Sequence, residues 1–409
     1  MSQQEIHIRT ALMPLCYKDF HCLAAACRDN CCGGWEISFN KKDYLKIKRS
    51  ARSPELQAIL AEGMERLRDK GTERTYAHFS LNAERVCAFQ TEEGLCRLQQ
   101  ECGAEALPVV CRDYPRKVFY TAAAKEFALS PSCEGVLALL WDLPQGIDFL
   151  EEDLPRQDWR LAKTVTGYSA WFPQIRSLCV DALQERSLPL PRRLLLLGLL
   201  LRRLRDADWE REDTVEAWLD WGARQLHDPA AAAALEDLPR DRVGFLTGNL
   251  GTLIAILEDS APQTQAFCRS LLAALSADGE NWEATGLTKY AIDTNRYQAM
   301  EDRLEGLPGP LEEFFENLMV MMAFYETFPA LDTPENLWRS YVELCLLYGF
   351  FRFAAVCGCG REVGRERLFQ VVGAASRGLL HNKTRRERLV DNLLKDGGTL
   401  ARIAVLVGG

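Results

Sequence analysis

Eight of the fifteen cysteines form a spaced set in the first third of the chain: Cys22, Cys27, Cys31 and Cys32, then Cys87 and Cys96, then Cys111 and Cys133. Soft thiolates select zinc, copper(I) or iron–sulfur clusters, and a tetrahedral centre needs four of them brought together by short spacings. If residues 27–32 turn as the start of a helix, Cys27 and Cys31 share a face and Cys32 points about 100° away from Cys31. Two adjacent cysteines serve one tetrahedral ion poorly, so one is a spectator or the pair feeds two neighbouring centres. Zinc knuckles usually come as two C-x2-C pairs, and neither half of this set contains one. The expectation is an iron–sulfur cluster, of the [4Fe–4S] type, ligated from these eight thiols. Zinc is the alternative, and inert or redox-sensing thiols are the third reading.

The other cysteines read differently. Cys16 and Cys102 have no fixed partner nearby, and Cys179, Cys268 and Cys345 sit singly in apolar helical stretches, where a free thiol behaves as a small hydrophobe. Cys357-Gly358-Cys359 is too tight for a zinc knuckle and is read as a pair of loop thiols.

The elements that must hold the thiols are mainly α-helical. From about residue 134 apolar residues recur at three- and four-residue spacing, and helices are predicted over 192–205, 212–226, 243–258, 262–275, 310–328, 335–356 and 385–395. Thr333-Pro334-Glu335 has the polar cap and first-turn proline of a helix start, while Pro308-Gly309-Pro310 and Asp396-Gly397-Gly398 are stops. The first third is loop-rich, with one helix predicted at 54–70 and short extended pieces near 35–39 and 117–121. The division expected is a cysteine-rich metal module at 1–140 followed by an α-helical body at 141–409. A fold of the module that depends on its metal is ordinary for such a domain.

A chain of 409 residues with 47% hydrophobic content has no need of disulfides to complete a core. Its start, Met-Ser-Gln-Gln-Glu, lacks the charged and apolar regions of a secretion signal, so a reducing cytoplasm is the expected compartment. The apolar run Leu194–Leu201 is flanked by arginines and is too short for a bilayer, so it is read as a buried helix and no membrane partner is expected. Net charge is −9, which disfavours nucleic acid as a partner.

The order of the blocks resembles a known family. The run Cys22-Leu-Ala-Ala-Ala-Cys27-Arg28-Asp29-Asn-Cys31-Cys32-Gly-Gly-Trp35 is similar to the opening signature of the flagellin lysine-N-methylases, within a wider cysteine-rich, zinc- or iron-chelating group. Cys87-Ala-Phe89 with Gly94-Leu95-Cys96-Arg97, then Leu107 to Cys111 with Tyr114-Pro115-Arg116, then Leu129-Ser130-Pro-Ser-Cys133-Glu134 are similar to its later blocks. The resemblance implies methyl transfer from S-adenosylmethionine to lysine ε-amino groups of flagellin by an enzyme carrying an iron–sulfur cluster. The rival readings are a non-catalytic metal- or cluster-delivery protein and a zinc-stapled interaction scaffold.

The chain has neither the C-x3-C-x2-C spacing of radical S-adenosylmethionine enzymes nor the glycine-rich turn of Rossmann methyltransferases, so the mechanism and the cofactor pocket stay open. Tyr114, Arg116 and Trp35 are the candidates for cofactor binding, each with a structural alternative: a turn for Tyr114-Pro115-Arg116 and a core position for Trp35. Arg28-Asp29 reads as a local ion pair or cap. His381, among Lys383, Arg385, Arg386 and Arg388, reads as part of a solvated basic face, with a substrate-docking or catalytic role as the alternative.

Overall fold

The computed structural model describes residues 5–28, 31–33, 37–68, 71–83, 85–121, 123–163, 167–209, 211, 213–236, 241–258, 262–275, 293–360, 362–395 and 398–408. The chain is mainly α, and its described strands all lie before residue 164: β1 (Glu5–Ile8), β2 (Thr10–Pro14), β3 (Ser38–Phe39), β4 (Met64–Arg66), β5 (Ala77–Phe79), β6 (Arg116–Tyr120), β7 (Lys125–Leu129), β8 (Phe149–Asp153) and β9 (Arg160–Lys163). They form three small sheets, ordered β1-β9, β6-β7-β2-β8 and β3-β5-β4. In the largest, β2 runs parallel to β7 and antiparallel to β8, while β6 and β7 form a hairpin. The extended pieces expected near 35–39 and 117–121 correspond to β3 and β6; residues 34–36 lie outside the described residues.

Two hydrophobic cores result. The smaller lies between residues 37 and 111 and packs Ile47, Leu56, Phe79, Phe89 and Leu98 under β3-β5-β4. Burial of each such side chain contributes about 1.5–3 kcal/mol, which a module of this size needs in full. The predicted helix at 54–70 is Pro54–Gly63, opened by the Ser53 side chain accepting from the Leu56 amide, and the chain then turns into β4. The reason is local: Met64 is drawn into antiparallel pairing with Phe79.

The larger core joins the four-stranded sheet to the helices that follow it. Each predicted helix of the body is present within a few residues: Leu190–Arg205, Asp213–Gln225, Arg242–Glu258, Pro262–Leu275, Leu311–Tyr325, Pro334–Cys359 and Lys383–Lys395. The Thr333 side chain accepts from the Asn336 amide and Pro334 sits in the first turn, as the sequence implied. Arg202, Arg203 and Arg205 close the last turn of Leu190–Arg205, where cations complement the helix dipole. That helix crosses Pro334–Cys359 at Gly198, where a Cβ would fall 2.1 Å from the Tyr341 hydroxyl; the hydroxyl donates to the Leu194 carbonyl at 3.0 Å. Pro334–Cys359 is long and apolar enough to cross a membrane by length and composition, but 18 of its residues are buried in the fold. Further helices not singled out beforehand are Glu134–Trp141, Phe172–Leu183, Pro229–Glu236, Thr294–Glu305, Arg365–Leu380 and Leu400–Gly408.

Buried ion pairs tie the sheet to the body. Glu126 on β7 accepts two hydrogen bonds from Arg176, at 2.6 and 2.9 Å, and both side chains are almost wholly buried. The Arg176 guanidinium also lies over the rings of Phe172 and Phe324. Glu316 likewise binds both Arg186 and Arg193. Removing one partner of such a pair leaves an uncompensated buried charge. Arg176→Ala is therefore expected to cost about 3–5 kcal/mol, read as a lower thermal midpoint, whereas combined Glu126→Leu and Arg176→Met should recover most of it. An Arg176→Ala protein that melts with the parent would contradict this account of how the sheet is held.

Candidate metal centre

Short backbone pairings deliver the cysteine segments. Gly33 bridges Val86, and the Cys87 amide donates to the Cys32 carbonyl at 3.0 Å, which sets Cys32 beside Cys87. The chain then folds back on itself: the Gln90 amide bonds the Cys87 carbonyl, the Thr91 amide the Leu95 carbonyl, and Gln90 bridges Cys96. Gly94 makes this turn with φ +78°, a region that side chains disfavour. Eight intervening residues thus separate Cys87 from Cys96 in sequence but not in space. Cys111 is brought up by the helix Lys41–Ser50: buried Asp43 accepts from the Val109 amide at 3.3 Å, and Lys46 donates to the Leu107 carbonyl at 2.6 Å.

Cys133 arrives from the other side, at the start of the helix Glu134–Trp141, and Cys96 occupies the same position before Arg97–Cys102. For each thiol, backbone N–H groups of the helix start oppose the effect of burial: Gly135 and Val136 for Cys133, Leu98 and Gln99 for Cys96. Helix N-termini favour thiolates for this reason. Glu134, itself buried, gathers the loop before Cys31. It accepts from the Arg28 amide at 2.8 Å, pairs with the Arg28 guanidinium at 3.2 Å, and takes a longer bond from the Cys27 thiol at 3.7 Å. Arg28 is therefore tied across the fold to Glu134; Asp29 lies outside the described residues.

The thiols act on one another. Cys87 and Cys133 are raised to about 11 each, chiefly by burial and also by the charge at Cys31. Burial also raises Cys96 and Cys111; Cys31 acts on both, and Cys87 and Cys96 act on Cys111. Cys31 itself is lowered, first by the hydrogen bond from Cys32 and also by the Arg377 guanidinium; the same bond drives Cys32 up. Cys22, exposed, acts on Cys133. Such a set repels itself once deprotonated and calls for a bound cation, which inverts the local preference. Soft donors in this number suit iron–sulfur or zinc chemistry. Among the described residues no group of three or more His, Cys, Asp or Glu side chains is placed to hold a metal ion as the chain stands.

The helical body supplies the remaining wall. Arg377, on Arg365–Leu380, donates to the Ser132 carbonyl at 2.9 Å, and His381 Nε2 lies 3.1 Å from the Ser132 hydroxyl. The same hydroxyl lies 2.7 Å from that of Ser130 and 3.0 Å from that of Tyr114. Tyr114 is half-buried, and its phenol pKa is raised by desolvation and then by the charges at Cys133 and Cys31. His381 is lowered by the protein packed around it and by Arg377.

Of the residues expected to touch a cofactor, Tyr114 stands beside the thiols. Arg116 instead donates to the Phe20 carbonyl at 3.1 Å and lies over the Phe20 ring, and Trp35 lies outside the described residues. The basic stretch is only in part a solvated face: His381, Lys383 and Arg388 are exposed. Arg385 and Arg386 are buried, Arg385 donating to the Gly378 carbonyl and Arg386 pairing with Glu326 and Glu343, because the helix Lys383–Lys395 packs that side on the body. Cys357 and Cys359 are not loop thiols: both are buried at the end of Pro334–Cys359. Cys16, Cys179, Cys268 and Cys345 are likewise buried in the larger core. Ser132 and Glu134 fall inside the last of the resembling blocks without a role assigned there, and Arg377 carries no motif that would single it out.

The site is a thiol-rich N-terminal part closed against a helical body. Residues 176–406 match the FliB lysine N-methylase C-terminal domain, and the chain belongs to that family. It is 28% identical over 157 residues to a lysine-N-methylase of Salmonella choleraesuis, covering 37% of this chain and 38% of that protein. A lysine-N-methylase of Salmonella typhimurium is 27% identical over the same shares, and the flagellar biosynthetic protein FliU of Salmonella muenchen is 28% identical over 34% of this chain and 80% of its own. The matched stretch thus spans under two-fifths of the first two relatives. No solved structure matches the chain.

A lowered thiol pKa predicts reactivity. In metal-free protein near neutral pH, Cys31 carries more thiolate than Cys87 or Cys133 and should be alkylated faster by iodoacetamide, as read by peptide mass spectrometry. Cys32→Ala, and to a smaller degree Arg377→Met, should raise the Cys31 pKa and slow that reaction. Equal rates at all three thiols would contradict the assignment.

Proposed function

We propose that this chain is a protein lysine N-methyltransferase that moves methyl groups from S-adenosylmethionine to lysine ε-amino groups of flagellin in the cytoplasm. The observation that carries the reading is the family match over the helical body, which supplies Arg377 and His381 to the thiol-rich junction. The ligands of the iron–sulfur cluster would come from among Cys22, Cys27, Cys31, Cys32, Cys87, Cys96, Cys111 and Cys133, four thiolates to a closed centre and three where one iron is left open. When bound, the cluster would fix these segments and offer an iron to the amino and carboxylate groups of S-adenosylmethionine.

The transfer needs a neutral amine, whereas a lysine ammonium has a pKa near about 10.4. His381, whose pKa lies below its ordinary 6.5, is neutral at neutral pH and can take the proton. The lysine nitrogen then forms a bond to the methyl carbon as the sulfonium C–S bond breaks, its electron pair leaving with the thioether S-adenosylhomocysteine. The proton passes from His381 to solvent. Ser132 holds the imidazole through its hydroxyl, and Tyr114 and Ser130 hold Ser132; positioning of this kind is a large part of such a reaction.

The test is methylation of unmodified flagellin by anaerobically purified protein, followed by intact-mass spectrometry. Mass increments of one methyl group are expected, with His381→Ala lowering kcat by roughly 10²–10⁴-fold. The sign of the pH dependence is fixed. Activity is present while His381 is neutral and is lost as pH falls through its pKa, so the acid limb lies below 6.5. Arg377→Met removes a cation, raises that pKa and moves the limb upward. Release of metal to an acceptor with no methyl transfer would overturn the proposal in favour of a delivery protein.

A further inference from the structure

We infer that a basic cleft on the cysteine-rich part, away from the thiols, docks an acidic segment of the protein substrate; the inference rests on the methyltransferase reading for the identity of that partner. The cleft has a volume of about 910 Å³ and lies between the helix Lys41–Ser50 and the start of Pro54–Gly63. Lys42, Leu45, Lys46 and Arg49 recur along one face of the first helix at three- and four-residue spacing, and Arg52 extends the row. Lys46 is engaged by Asp43 and by the Leu107 carbonyl. Lys42, Arg49 and Arg52 are exposed, and among the described residues no carboxylate pairs with any of them. Like charges at this spacing weaken a helix, so the row works against the element that carries it.

The far wall indicates what the cleft accepts. The Glu101 carboxylate, paired with Arg97 at 3.5 Å, also takes a hydrogen bond from the Ser53 hydroxyl at the start of Pro54–Gly63, where the helix dipole favours an anion. The lining thus carries one carboxylate, itself paired with Arg97, against four cations. Leu45, 39% exposed at the centre of the row, gives an apolar contact between the charges. A peptide that alternates carboxylates with an aliphatic side chain matches both features. A polynucleotide does not, because three free cations are few for a phosphate backbone and the chain as a whole carries a net charge of −9.

Fluorescence anisotropy of the full chain with a short labelled Glu/Leu peptide tests this directly. Saturable binding that weakens with salt is expected, and combined Lys42→Glu, Arg49→Glu and Arg52→Glu should reduce affinity by about tenfold or more. A charge-keeping variant, Lys42→Arg with Arg49→Lys, should bind as the parent does. Absence of peptide binding, equal binding by the charge-reversed variant, or displacement of the peptide by single-stranded DNA at lower concentration would overturn the inference. Binding requires no methyl transfer, so a failed methylation assay with intact peptide binding would refute the enzyme reading alone. If both hold, the charge-reversed variant should raise KM for flagellin and leave kcat for a short lysine peptide unchanged.

Discussion

The hydrogen bond from Arg377 to the Ser132 carbonyl is the constraint on which the candidate site depends. It fixes the few residues between the end of β7 and the start of Glu134–Trp141, which carry Ser130, Ser132, Cys133 and Glu134. Three of these have a further attachment: Ser132 to Tyr114 and His381, Ser130 to the Pro115 carbonyl, Glu134 to Arg28 and Cys27. A charge-assisted bond to a carbonyl at the foot of a helix is stronger than a neutral one and directional. The helical body therefore does more than pack beside the cysteines. It sets the position of Cys133, the charge next to Cys31 and the state of His381.

The electrostatics of the thiols follow from the same geometry. Burial alone would leave Cys87, Cys96, Cys111 and Cys133 protonated, and their mutual repulsion acts in the same direction. The opposing influences are the helix starts at Cys96 and Cys133, the Cys32 bond to Cys31, and Arg377. A site that is costly to ionise when empty, yet preset to favour thiolate at selected positions, would couple the uptake of any metal to proton release and to the folding of the loops that carry the thiols. The small core between residues 37 and 111 supports those loops from behind but does not span the gap to Cys133.

Much of the architecture was legible in the sequence because helical periodicity is local. Leucines spaced along 190–205 and the Thr333-Pro334 start specify their helices without reference to the rest of the chain. The sheet was not legible: β2 pairs with β8 about 140 residues away, and its short, mixed sequence acquires a strand conformation only from that partner. Arg365–Leu380 was passed over because Gly373 and Gly378 dilute its pattern. In the site, spacing marked the cysteines, since thiols are rare and their chemistry specific. Arg377 and Ser132 are common residue types whose meaning comes only from meeting across 245 positions of chain.

The central claim is that the spaced thiols bind an iron–sulfur cluster at this junction. X-ray absorption at the iron edge of anaerobically purified protein tests it most directly. The account predicts sulfur scatterers around iron together with an iron–iron distance, both lost when Cys31 and Cys133 are replaced by serine. Stoichiometric zinc in place of iron, or iron surrounded by oxygen and nitrogen alone, would contradict it.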